Sequence, residues 1–213
     1  MEIVPHQTPL WLKQLYPKRI WSFETTKQKE KTIYLTFDDG PIPKITPWVL
    51  ATLQKYNAQA SFFCIGENLQ KHSKIAQQVI AAGHSLGNHT QHHVSGWKIG
   101  FNKYIEDFEL AQKEFEKQDF ETKLFRPPYG KITTKQASFL LQKKIKIIMW
   151  DVLTKDYAKH LNPKELLEKS ILATSSGSIV VFHDSEKAYR NLQYILPKYL
   201  AHFSKLGYQF KAI

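Results

Sequence analysis

Short apolar runs recur along this chain, and each ends on a cluster of polar side chains before a helical pattern begins. Thr32-Ile33-Tyr34-Leu35-Thr36-Phe37 runs into Asp38-Asp39-Gly40-Pro41, and Ser178-Ile179-Val180-Val181-Phe182 runs into His183-Asp184. Leu124-Phe125 leads into Arg126-Pro127-Pro128-Tyr129, the apolar run 145–150 into Asp151, and the short run 84–88 into His89-Thr90-Gln91-His92-His93. Continuous apolar runs of this length suit strands covered on both faces, as in a parallel sheet. Helical patterns between them (46–56, 73–82, 102–118, 134–143, 163–173 and 191–203) place helices outside that sheet. The expected fold is therefore α/β: a complete or incomplete (β/α) barrel of six or seven parallel strands, with a doubly wound open sheet as the competing arrangement. In either fold ligands gather at the C-terminal ends of the strands, which is where the polar clusters fall.

The finer reading adds a strand at 60–66, a closing strand at 208–210, Asn162 as a cap ahead of Pro163, and Pro197 as the point where the last helix would bend. A chain of 213 residues with 42% hydrophobic residues builds one well-filled domain, which excludes disorder as its main state. The single cysteine excludes an internal disulfide framework and a Cys-rich zinc site; Cys64, inside an apolar strand, reads as a buried inert thiol. No apolar run approaches the ~20 residues of a membrane span. Residues 1–30 read as an N-terminal extension packed on a domain of residues 31–213. Its start, Met1 to His6, does not resemble a secretory signal, and the compartment stays open. Its apolar stretch around Leu10–Tyr16 reads as a short helix lying on the domain, with a membrane-surface segment as the competing reading.

The formal net charge of +11 favours anionic partners. The lysines are scattered along helices (Lys71, Lys74, Lys113, Lys117, Lys143, Lys144) and form no nucleic-acid motif, so most read as solvated surface and nucleic acid is not the expected partner. The histidines are more informative. Adjacent carboxylates at Asp38 and Asp39 repel unless a cation or a division of duties separates them. Residues four apart share a face on a helical turn, so His89 and His93 can aim at one ion; the pairs 89/92 and 84/89 satisfy spacing too. Two imidazoles and a carboxylate make an open ligand set suited to catalytic Zn²⁺ or to Fe²⁺.

Thr36-Phe37-Asp38-Asp39-Gly40-Pro41, His89-Thr90-x-x-His93, Arg126-Pro127-Pro128-Tyr129, Asp156-Tyr157 and Val180-Val181-Phe182-His183 together resemble the five ordered motifs of the polysaccharide deacetylases. These enzymes carry the NodB homology domain and form carbohydrate esterase family four. The resemblance spans about residues 31–211 and implies a distorted, incomplete (β/α) barrel of about seven parallel strands. It implies metal-dependent removal of N- or O-linked acetyl groups from a carbohydrate of chitooligosaccharide, peptidoglycan or xylan type. It implies that Asp39, His89 and His93 bind a divalent metal, Zn²⁺ first and Co²⁺, Ni²⁺ or Fe²⁺ as alternatives. It makes Asp38 the general base and His183 the general acid, with Arg126 holding Asp38 and Asp156 orienting His183. Tyr129, Pro128 and Tyr157 would lie against substrate, with the Tyr129 N–H facing the oxyanion. The fourth motif departs from the family pattern: Leu153 stands where an Asp is usual and Tyr157 where a Trp is usual, with Asp151 nearby as a conceivable substitute. Competing readings are an amide or imide hydrolase for a non-sugar substrate on the same scaffold, a non-catalytic protein that binds anionic glycan or nucleic acid, and an inactive relative.

Overall fold

The computed structural model describes residues 5–23 and 31–213. Met1 to Val4, at the head of the chain, and the boundary of the N-terminal extension at residue 30 lie outside the described residues. Eight strands form one sheet: β1 (Thr32–Asp38), β2 (Ser61–Cys64), β3 (Ser85–Asn88), β4 (Leu124–Phe125), β5 (Lys146–Ile147), β6 (Val152–Leu153), β7 (Ile179–His183) and β8 (Gln209–Lys211). All pairings between them are parallel, in the order β5-β4-β3-β2-β1-β7-β6, with β8 added to the first half of β1. The sheet curls into an incomplete (β/α) barrel. Among the described residues eight α-helices accompany it: α1 (Leu10–Leu15), α2 (Ile45–Gln54), α3 (Gly66–Lys71), α4 (Ser73–Ala81), α5 (Phe101–Glu116), α6 (Thr134–Gln142), α7 (Pro163–Ala173) and α8 (Tyr189–Lys205). Among the described residues, no helix is long and apolar enough to cross a membrane.

The twofold period of a strand sorts side chains to the two faces of the curled sheet. On β1, Ile33, Leu35 and Phe37 enter the core beneath α2, α4 and α8, as do Phe62 and Cys64 of β2 and Val180 and Phe182 of β7. The opposite parity faces the barrel interior. There Tyr34, Phe63 and Ile179 pack with Ile148, and Thr36 and Asp38 bond Arg126. Full burial of each large aliphatic or aromatic side chain contributes roughly 1.5–3 kcal/mol. Cys64 belongs to the outer core, and burial pushes its thiol pKa well up, in keeping with an inert role. A second core lies under α5 and α6, built from Tyr104, Phe108, Leu140 and Ile147.

Side-chain caps open α6 and α7, the latter at the expected Asn162. The Asn162 side chain accepts from the Lys164 N–H at 2.9 Å with Pro163 opening α7, and Thr133 with Gln136 forms a reciprocal capping box at α6. Helix α8 continues through Pro197 to Lys205. Two elements escape periodicity: α3 follows β2 with one intervening residue, and β6 is only two residues long.

The run 145–150 is not one strand. It pairs as β5 over two residues and then leaves the sheet, so β5 and β6 do not close the barrel on each other. The N-terminal segment spans that gap. The Ile20 N–H donates to Ile147 O at 2.9 Å and the Met149 N–H to Ile20 O at 2.7 Å. On the other side the Thr8 N–H donates to Asp151 O at 2.7 Å and the Leu153 N–H to His6 O at 2.8 Å. Strand edges that would stand unpaired are thereby satisfied. Helix α1 sits on this strap, with Leu12 against the second core and Leu10, Trp11 and Leu15 exposed.

Candidate active site and metal centre

Parallel register brings the polar strand ends together. Asp38 of β1 is the Cα partner of Phe63 on β2 and of His183 on β7, and Asn88 of β3 is the partner of Cys64 on β2 and of Phe125 on β4. The loops that follow enclose a cavity of about 400 Å³, within the usual range for a ligand pocket.

The two adjacent carboxylates diverge. Asp38 extends β1 into the barrel, whereas Asp39 turns away at φ 85°. Its carbonyl accepts from Asn68 Nδ2 at 2.7 Å, which fixes the turn. Gly40 follows at a close approach, because a Cβ there would lie 2.0 Å from Asp184 Oδ2. The Asp184 carboxyl accepts from the Gly40 N–H and from the Thr46 hydroxyl, tying this loop to α2. Burial, reinforced by the nearby Asp39 charge, pushes its pKa up to about 8.

Asp39, His89 and His93 offer ligand atoms that all lie within 4.8 Å of one another. Asp39 Oδ1 is 3.3 Å from His93 Nε2 and 3.8 Å from His89 Nε2, and it has no hydrogen-bond partner despite its burial. His89 Nδ1 lies 2.7 Å from Arg126 O, an acceptor, so Nδ1 carries the proton and the Nε2 lone pair faces Asp39. Burial, aided by the neighbouring His93, lowers the His89 pKa to about 3 and leaves the ring neutral; burial also lowers that of His93. Two imidazole nitrogens and a carboxylate oxygen converging on one point are a donor set that fits a divalent cation.

The helical-turn argument for the 89/93 pair does not hold. Residues 89–93 form an irregular loop with Thr90 at φ 64° and His93 at φ 54°. Asn88 Oδ1 accepts from the Thr90 N–H at 2.8 Å. The Asp107 carboxylate of α5 accepts from the backbone N–H groups of Gln91 and His92 and contacts His92 Nδ1 at 2.6 Å. His92 is thus drawn outward, and His84 is occupied elsewhere, its Nδ1 accepting from the Ala60 N–H.

Arg126 is fully buried beneath Asp38. Its Nη1 donates to Asp38 Oδ1 and to Thr36 Oγ1, both at 2.7 Å, while Nε and Nη2 donate to the carbonyls of Ile148 and Met149. The guanidinium lies over the Phe63 ring at 4.2 Å. His183 Nδ1 lies 2.7 Å from Asp156 Oδ1, and its backbone N–H donates to Asp156 Oδ2 at 2.8 Å. Burial acts to lower the His183 pKa, but the charge and hydrogen bond of Asp156, with Asp39 and Asp38 behind, outweigh it and raise the value to about 9.

Tyr129, at φ 59° and largely exposed, lines the cavity and places its hydroxyl 3.1 Å from His93 Nδ1. Tyr157 also lines the cavity and meets the His183 ring edge-on. Pro128 is buried in the turn before Tyr129, outside the cavity lining. In the fourth motif, Leu153 faces the cavity, but Asp151 does not replace the usual carboxylate. It is bonded to Lys13 and Ser178 at 2.5 Å each, on the side of the N-terminal strap. Sequence reasoning assigns no role to Thr36, Asp107 or Asp184, because their contribution depends on contacts between distant segments.

The family model for "Polysaccharide deacetylase" matches residues 25–147, more than half of the chain. A peptidoglycan-N-acetylglucosamine deacetylase of Bacillus cereus is 34% identical over 209 residues, which cover 94% of each chain. Peptidoglycan-N-acetylglucosamine deacetylase PgdA of Listeria monocytogenes is 31% identical over 82% of this chain, which spans only 37% of the longer protein. The crystal structure of the Bc1960 peptidoglycan N-acetylglucosamine deacetylase superposes with a TM-score of 0.87 at 25% identity, covering 97% of this chain and 95% of that one. Together with the ordered strand-end motifs, these matches establish that the chain belongs to the polysaccharide deacetylase family.

Proposed function

We propose that the protein is a metal-dependent deacetylase that removes acetyl groups, N-linked in the first instance, from amino sugars of a glycan of peptidoglycan or chitooligosaccharide type. The observation that carries this reading is the convergence of Asp39, His89 and His93 beside an Arg126-held carboxylate and an Asp156-held imidazole. The names of the relatives support the substrate class.

Asp39 and the Nε2 atoms of His89 and His93 would hold a divalent cation, Zn²⁺ being the first choice for such ligands. A bound cation there supplies Lewis-acid polarisation of the acetyl carbonyl and a more acidic water. Asp38 accepts the proton of the attacking water, and Arg126 fixes its carboxylate in the position to do so. The Tyr129 N–H, oriented by the left-handed turn, donates to the oxygen that gains charge. Because His183 Nδ1 is engaged by Asp156, its Nε2–H faces the cavity and delivers the proton to the leaving nitrogen. Base and acid are separate groups, and the neighbouring carboxylates divide their duties.

The test is acetate release from acetylated chitooligosaccharides, peptidoglycan fragments and acetylxylan, with and without chelator. Chelator-sensitive release from the amino-sugar substrates is expected. Absence of release from every glycan, or release indifferent to thorough chelation with metal content verified, overturns the reading.

A further inference from the structure

Helix α1 is apolar on both sides. Leu12, and Tyr16 just past the helix end, turn inward and pack on the second core, while Lys13 bonds Asp151. At roughly 100° per residue, Leu10, Trp11, Gln14 and Leu15 fall on the opposite side. There Leu10, Trp11 and Leu15 are 68%, 64% and 60% exposed. Scattered apolar residues on a surface need no explanation, but three within one short helix form a contiguous patch. The helix that carries it is firmly held. The Thr8 N–H donates to Asp151 O ahead of α1, and beyond it Trp21 Nε1 and the Arg19 N–H both donate to Tyr16 O.

The charge around the patch has one sign. Residues 5–23 contain Lys13, Lys18 and Arg19 and no Asp or Glu. Lys13 is engaged by Asp151 and Arg19 lies over the Tyr16 ring, which leaves Lys18 exposed three residues beyond Leu15. At the head of the strap, burial and then the charges of Lys155 and Lys169 lower the His6 pKa to about 4, so positive potential extends there too. A further exposed tryptophan, Trp97, precedes the exposed Lys98, and its loop joins the same second core through Val94 and Ile99.

Size and charge together select the occupant. Three side chains of at most about 250 Å² each, about two-thirds exposed, offer no more than about 500 Å². A stable dimer takes about 800 Å² from each partner. An anionic lipid surface needs less: tryptophan and aliphatic side chains entering the headgroup region, with cations beside them, are two weak signals that add to a reversible attachment. We infer that the outer face of α1 is a membrane-docking surface, with Leu10, Trp11 and Leu15 entering an anionic bilayer and Lys18 among its headgroups. Docking there also orients the candidate site. Thr8, two residues before α1, donates its hydroxyl to Trp150 O at 2.8 Å, and Trp150 lines the cavity.

The experiment mixes the full chain with vesicles of phosphatidylcholine alone, or of phosphatidylcholine and phosphatidylglycerol in equal parts, and measures bound protein by sedimentation. The parent is expected to bind the anionic vesicles about tenfold or more better than the zwitterionic ones, with binding that weakens as salt is raised. The triple variant Leu10→Ser, Trp11→Ser, Leu15→Ser is expected to lose about tenfold or more in partition coefficient at unchanged Tm, and Trp11→Ser or Lys18→Glu alone to lose part of it. Leu172→Ser, at an 86% exposed position on α7, is expected to bind as the parent does, which separates this patch from general surface stickiness. Absence of parent binding to the anionic vesicles overturns the inference. So does binding that the triple variant retains in full, which assigns attachment to the net charge alone. Self-association of the parent in sedimentation velocity, abolished in the triple variant and unaccompanied by vesicle binding, gives the patch to a second copy and overturns it as well. None of these outcomes bears on the deacetylase reading.

Discussion

Asp38 and His183 are Cα partners in the parallel register of β1 and β7, and both side chains point into the barrel. One register therefore sets the spacing between the proposed base and the proposed acid, while separate partners, Arg126 and Asp156, fix their orientations. A sheet is a stiff way to hold two proton-transfer groups on opposite sides of a reacting bond.

From this pairing, Asp38→Asn is expected to lower kcat by about a hundredfold or more, the range of a general base, with the metal still bound. His89→Ala is expected to lose metal and activity together. Metal content by elemental analysis alongside acetate release separates the two. An Asp38→Asn variant that keeps most of its turnover removes Asp38 from the role of base.

Arg126 has the reverse profile. It is fully buried under a nearly buried carboxylate, so Arg126→Met leaves Asp38 without a counter-charge in the barrel. Removing one partner of such a pair costs about 3–5 kcal/mol. The variant should unfold at markedly lower denaturant concentration, and a midpoint within error of the parent contradicts the pairing as drawn.

The pH dependence follows from His183. Its protonated form is the proposed acid, and with a pKa near 9 it is protonated at neutral pH, so activity is expected to fall on the alkaline side. In Asp156→Asn the largest raising influence is removed, only the Asp39 and Asp38 charges still oppose burial, and the alkaline limb moves to lower pH by about a unit or more. Stability runs with the same sign: a folded pKa above the unfolded value stabilises fully below about pH 6.5, and this contribution is lost as pH rises through about 9. A pH–rate profile unchanged in Asp156→Asn counts against the assignment.

Much of the fold and site is legible in the chain because strand ends and polar clusters coincide. The outer-core parity of Ile33, Leu35 and Phe37 alone forces Thr36 and Asp38 inward. The histidine pair is legible by residue type but not by the geometry that spacing suggests, since a left-handed His93 and the Asp107 carboxylate shape that loop instead. Nothing local marks Asp107, sixteen residues along on α5, as the support for Gln91. Likewise β6 is too short for any periodicity, and its existence depends on pairing with Val180 and Val181.

Asp107 makes that dependence testable. Its carboxylate holds two backbone N–H groups of the loop between His89 and His93, so Asp107→Ala is expected to weaken zinc binding about 10- to 100-fold, as the loss of an outer support does. Competition with a chromogenic chelator reads this directly. Zinc affinity equal to that of the parent excludes Asp107 as the support.

The strap across the open side of the barrel carries an ion pair of its own. Lys13 Nζ meets Asp151 Oδ1, whose other oxygen accepts from Ser178, and Asp151 is almost wholly buried. Lys13→Met leaves that carboxylate with a single hydroxyl partner, a loss of about 2 kcal/mol. For a domain of this size about 2–4 °C of Tm accompanies each kcal/mol, so a fall of about 4–8 °C is expected. Because Asp151 faces away from Arg126 and the cavity, the loss should appear in Tm rather than in kcat at 25 °C. Lys13→Met combined with Asp151→Leu and Ser178→Ala replaces the polar cluster with apolar contacts and should recover part of the Tm, since removing a buried polar group together with its partners is less costly than orphaning it. If Lys13→Met melts with the parent, the strap is held by its backbone pairing at Ile20 and Thr8, and the ion pair adds nothing to it.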